Sequence, residues 1–352
     1  MKKVIFLFAM VLATNFAIAQ TNDAEINQYG TNIADIEQVG SINEAIINQG
    51  AAGASVTNSG SNSSSGWKYG SFITQEGSNN TAEVDVNTSR NGTSIDQLGN
   101  YNWAKQELNA NISKTTNWDR MGLDINQEGN NNWANQKTRA GFGTYSVQGM
   151  MINQAGDYNI ADQMSIGGMN QQVEIEQIGN NNNNTGVSGN IFDVSATGLI
   201  NPLTLFWAQK PAGDFTQYMF QNKGVAHMYV KGNDNNTYQY QEYVTYGSAE
   251  SQGQNDAMMD VWGSGNNVAQ DQLGDLNSSD IDIDGDGNVV ISSQFGDSNI
   301  VNIDLVLGSD NNIVGVQQTG DFNIVSVFQS GDFNIVSVFQ SGVSNFAQII
   351  QQ

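Results

Sequence analysis

Apolar and polar residues alternate along this chain with a period of two, over stretches of about seven residues that Gly then interrupts. From Asn323 to Gln329, an extended chain places Asn323, Val325, Val327 and Gln329 on one side and Ile324, Ser326 and Phe328 on the other. The same frame groups Asn102 with Ala104 and Gln106, and Asn159 with Ala161 and Gln163. β-Branched and aromatic residues in such a stretch favour a strand. The frequency of Gly and Asn and the missing 3.6-residue stripe exclude helix. Between the strands stands G-x-x-N, where Gly accepts positive φ and Asn or Asp bonds its own backbone. The pattern predicts a strand, a turn of about four residues, and the same again.

The period is regular. Gly320 to Ser330 is repeated without change at Gly331 to Ser341, and Gly342 opens a degenerate third copy. Gly263, Gly274, Gly285 and Gly296 are eleven apart, Gly308 and Gly320 follow at twelve, and Gly30, Gly40, Gly50, Gly60 and Gly70 are spaced by ten. Two arms make a coil of about 22 residues, and units too small to bury a face alone must stack. The fold class expected is all-β: a β-solenoid of strand-turn-strand coils with amyloid-like cross-β spacing. The side holding Asn323, Val325, Val327 and Gln329 faces inward. A buried amide is costly without a partner, and stacking supplies one, because the identical amide lies ~4.8 Å above and below. That purpose accounts for 48 Asn and 32 Gln in a chain with only 2 Pro. At most about fifteen coils fit, on the order of 70 Å of solenoid.

The chain divides into four segments. Residues 1–19 read as a secretory signal peptide: Lys2 and Lys3, an apolar run from Val4 to Ala13, and an A-x-A exit at Ala17 to Ala19. Residues 20–184 and 231–352 carry the repeat, with its near-perfect eleven-residue form at 320–341. Residues 185–230, with Pro202 and Pro211, form an irregular segment of degenerate coils or a lateral loop, and Gly53 to Gly66 is a second soft spot. Removal of 1–19 takes two lysines from a formal charge of −23 and leaves −25. Such acidity argues against nucleic acid, and no later run is apolar enough to span a membrane.

The recurring unit is Q-x-G-x-x-N-x-(A/V)-x-x-x-Q. Its clearest copies are Gln97, Gly99, Asn102 and Ala104; Gln127, Gly129, Asn132 and Ala134; Gln154, Gly156, Asn159 and Ala161; Gly320 and Asn323; and Gln329, Gly331, Asn334 and Gln340. This unit resembles the curlin repeat of curli subunits, the secreted amyloid fibre proteins of Gram-negative bacteria. The resemblance covers most of Gln28 to Asn182 and of Gly232 to Gln352. It implies export through an outer-membrane channel, a nucleator subunit as partner, homopolymerisation outside the cell and a place in biofilm matrix and adhesion. The chain departs from the pattern in its length, in Val325 and Val336 where Ala is usual, and in its irregular middle.

Open strand edges at both ends predict head-to-tail joining. Ile324, Phe328, Ile335 and Phe339 are expected as an outward apolar ladder suited to lateral contact. Other chemistry is thin. Asp280, Asp282, Asp284 and Asp286 resemble an acidic calcium loop, but no Glu closes it; the repeat frame turns Ile281 and Ile283 inward and the carboxylates to solvent, leaving non-specific calcium association. No cofactor is expected. With His227 the single histidine and no Cys, thiolate sites, His clusters and a Ser-His-Asp triad are excluded, and an enzyme is not expected. Trp103 and Trp133 share one outward slot. A non-polymerising surface adhesin or carbohydrate-binding solenoid is the alternative.

Overall fold

The computed structural model describes residues 22–50, 56–58, 70–87, 91–109, 121–139, 148–166, 171–183, 217–220, 225–242 and 255–352. Its elements are all strands, and every pair is parallel. Two twelve-stranded sheets run the length of the molecule. The first starts at Asp23–Gln28 and ends at Ile335–Ser341; the second starts at Ala34–Ser41 and ends at Phe346–Gln351. The chain alternates between them, so each coil gives one strand to each sheet, and twelve coils stack among the described residues. This is the β-solenoid expected from the period, three coils below the upper estimate.

Period two decides the faces as expected. Asn323, Val325, Val327 and Gln329 are buried, as are Asn102, Ala104 and Gln106. The two inner faces meet over a thin core with columns of unequal bulk. In the second sheet Ile73, Ile95, Ile125, Ile152 and Ile175 stack in register. In the first, Ala45, Ala82, Ala104, Ala134 and Ala161 do so. Small against large keeps two sheets close without voids. The Ile column is spelled I-x-Q in the sequence, at Ile73, Ile95, Ile125, Ile152 and Ile175, a signal the unit given above leaves out.

The two edges of the solenoid differ. From second sheet to first the chain turns through G-x-x-N at Gly40, Gly77, Gly99, Gly129, Gly156, Gly179, Gly232, Gly263, Gly285 and Gly331, with Ser309 taking the Gly slot once. From first to second, the early connections are of unequal length, some of four residues and some much longer, and the G-x-x-N corner takes over only at Gly274, Gly296, Gly320 and Gly342. The expectation that Gly30 to Gly70 mark successive corners is therefore corrected. Among the described ones Gly40 opens a tight G-x-x-N turn, Gly30 begins a three-residue strand paired with Val56–Asn58, and Gly70 begins a second-sheet strand; Gly60 lies outside the described residues.

The irregular segment 185–230 contains two strands of the stack: Gln217–Phe220 pairs in the first sheet and Val225–Lys231 in the second. Residues 184–216 lie outside the described residues, as do the signal peptide and most of Gly53 to Gly66. In the middle of the first sheet outward positions are buried as well, including Asp162, Asp271 and Ser293. The second sheet keeps its alternation of buried and exposed.

Candidate functional site

The chemistry of this molecule lies in ladders that run along its axis. Gln75, Gln97, Gln127, Gln154 and Gln177 form one column, each Nε2 donating to the next Oε1 at 2.8 to 3.0 Å. Each also donates across the corner to a first-sheet carbonyl, as Gln127 does to Trp103 at 3.1 Å. Gln106, Gln136 and Gln163 make a second column, and Gln272, Gln294, Gln318 and Gln340 a third. The donor always belongs to the coil nearer the N-terminus. This direction explains two buried oxygens without partners, Gln106 Oε1 and Gln329 Oε1. Val84 and Leu305 precede them in their columns, so no amide points at them.

The Asn residues keep the expected amide-to-amide bond along much of their columns, as Asn182 Nδ2 donates to Asn159 Oδ1 at 3.0 Å and Asn323 Nδ2 to Asn299 Oδ1 at 3.0 Å, and they add bonds to backbone. Asn102 Oδ1 accepts the backbone N–H of Asn132 at 3.0 Å, and its Nδ2 donates to the Gly129 carbonyl at 2.8 Å. Asn132 and Asn159 repeat both bonds to the coil after them. A short side chain at a corner reaches backbone as well as its own copy, so each Asn ties one turn to the next and satisfies groups the turn leaves free. At Gly99 a Cβ would lie 1.9 Å from the Gly129 carbonyl oxygen, with φ at +128°. Only Gly permits turns to stack this closely.

A further corner ladder escaped the sequence reading. At many corners an Asp or Asn directly after the Gly slot accepts a backbone N–H from the coil before, as Asp157 does from Asn130 at 2.7 Å and Asp310, after Ser309, from Asp286 at 2.8 Å. The preference for Asp or Asn at this slot was its available signal. Asp286, singled out as a calcium candidate, holds the N–H of Ser264 in this way at 2.7 Å. Asp280, Asp282 and Asp284 face outward from one strand, with Ile281 and Ile283 inward. Asp260, Asp282 and Asp304 stack in one column. Burial first, then the charges of Asp260 and Asp304, raise the carboxyls of Asp280 and Asp282 above the ordinary value. Among the described residues no group of three or more His, Asp and Glu side chains converges to hold a metal ion.

The four residues expected as one lateral ladder divide between two faces. Ile324 and Phe328 belong to the second sheet, Ile335 and Phe339 to the first. An eleven-residue repeat is half a coil, so identical residues in consecutive repeats emerge on opposite sides. Ile335 and Phe339 are exposed, Phe328 half-buried. Trp103 and Trp133 do share a slot, stacked at 4.9 Å with planes 6° apart. Each ring covers one face of the other, so those two faces are closed to a sugar. Beside them Lys105 bonds Glu83 and Asp85, and Lys137 bonds Glu107. Burial lowers the Lys105 pKa, but the hydrogen bond to Glu83 and the Asp85 charge outweigh it and leave it raised.

Among the described residues no further strand pairs with the outer strands of either sheet. Every residue of Asp23–Gln28 is exposed, and Ile335–Ser341 and Phe346–Gln351 are the outermost strands at the other end. Comparison with protein-family models and with curated proteins yields no match.

Proposed function

We propose that this chain is the structural subunit of a secreted, curli-like amyloid fibre that assembles head to tail outside the cell and serves biofilm matrix and adhesion. The observation that carries this reading is the amide ladder continuing to open parallel edges at both ends of the stack. An unpaired edge with in-register Asn and Gln is a template for another strand. The role is structural rather than catalytic. The repeat resemblance supports a nucleator and an outer-membrane export channel as partners. The test is assembly of purified residues 20–352. Fibres in electron micrographs and a meridional reflection near ~4.8 Å are expected; a chain that stays monomeric favours the non-polymerising adhesin instead.

A further inference from the structure

Because strand register is kept from coil to coil through all twelve, it matches a residue at one end of the molecule with a residue at the other. In the first sheet the column of Gln28 arrives at Gln340, which by the same register sets Glu25 level with Ser337 and Ala24 level with Val336. In the second, Gln38 arrives at Gln351, Ala34 at Ala347 and Glu37 at Ile350. The two ends therefore agree in residue type at inward-facing positions, amide with amide and small apolar with small apolar.

They differ in charge. The first coil exposes Asp23, Glu25, Asp35 and Glu37, while the last two strands hold no charged residue. The last coil also has side-chain bonds folded back on itself. Asn334 Nδ2 donates to Gly331 of its own turn at 3.2 Å, and Asn345 Nδ2 to Ser341 of its own corner at 3.1 Å, where earlier Asn residues reach the next Gly carbonyl. The two C-terminal strands are thus uncharged, Asp332 standing at the corner before them, and Gln340 and Gln351 have no later coil among the described residues to donate to.

Resting on the fibre reading above, we infer that the occupant of this end is the first coil of a second copy of the chain, docked in the register of the columns. Gln340 and Gln351 donate to Gln28 and Gln38 of the next copy. Glu25 of that copy stacks on Ser337, and its Glu37 on Ile350. Joining two N-terminal ends would set like carboxylates against each other. Joining two C-terminal ends would oppose amides that all donate the same way.

The chain has no Cys, so the register is open to cross-linking. Neighbouring residues in a column lie ~4.8 Å apart, within disulfide reach. E25C and S337C chains, mixed in equal amounts, assembled and oxidised, are expected to give a disulfide-linked dimer on a non-reducing gel. Neither variant alone gives one, and I335C, two residues out of register on the same strand, does not replace S337C. Fibres in which E25C links to itself, in which I335C links better, or in which no pair links overturn the register while leaving the fibre reading intact. Absence of fibres from the unmodified chain overturns both. A second measurement needs no cysteine. S337E sets a carboxylate against Glu25 of the next copy and is expected to slow elongation several-fold at low salt, with E25K in the same chain restoring it. Elongation of S337E at the unmodified rate overturns the joint.

Discussion

At the scale of single residues, the ladders make the cost of a substitution depend on its place in the column. Gln127→Leu leaves the Gln97 amide without its acceptor and Gln154 Oε1 without its donor, both buried. Two orphaned polar groups cost about 2–4 kcal/mol. Gln329→Leu removes a single bond, to Gln351, and deletes an oxygen that already lacks a partner. Denaturant midpoints are expected to fall much further for the first than for the second; equal losses would contradict the directed ladder. At the corners, Gly99→Ala forces a carbon against backbone and is expected to cost about 3 kcal/mol or more in the same measurement. Ile42 holds φ at 59°, a left-handed conformation that strains a β-branched side chain. Ile42→Asn is expected to stabilise by about 0.5–1 kcal/mol.

At the scale of strands and coils, much of the fold was legible and some was not, for physical reasons. Alternation identifies a strand and its buried side wherever one face meets a core, so Asn102, Ala104 and Gln106 read correctly. Alternation says nothing about which sheet a strand joins, so Ile324 and Ile335 read as one ladder although half a coil separates them. A Gly in sequence marks freedom of φ but not its use, which is why Gly70 was read as a corner. The strand at 225–231 was hidden because Val230 stands where the preceding coil keeps Gln177, and the strand at 217–220 because it is only four residues long. Parity follows from the duplicated repeat. Deleting Gly320 to Ser341 removes one strand from each sheet and preserves every column. Deleting Gly331 to Ser341 alone transfers the terminal strand to the opposite sheet. The longer deletion is expected to retain the β circular-dichroism spectrum and fibre yield, the shorter to lose fibre yield.

At the scale of the whole molecule, charge opposes stacking. The formal charge is −23, and the column of Asp260, Asp282 and Asp304 concentrates part of it. Folding raises the pKa of Asp280 and Asp282, through burial first and neighbouring carboxylates second. The folded chain then binds more protons than the unfolded one between the ordinary value of 3.8 and the raised values. Stability increases as pH falls through the raised values, the gain is complete below the ordinary one, and it is lost as pH rises. The denaturant midpoint is expected to be higher at about pH 5 than at about pH 8. D282N is expected to narrow that difference.

The common direction of the glutamine bonds has a consequence for growth. Aligned amide dipoles reinforce one another, so each column is a vector rather than a symmetric stack. A filament built by repeating it is an arrow, with a tip that offers amide donors and a tail that offers carbonyl acceptors among carboxylates. Two such ends bind the same incoming copy through different exposed groups. They therefore elongate at different speeds, and only the carboxylate end responds strongly to salt. Seeds labelled in one colour and extended in another would show unequal arms.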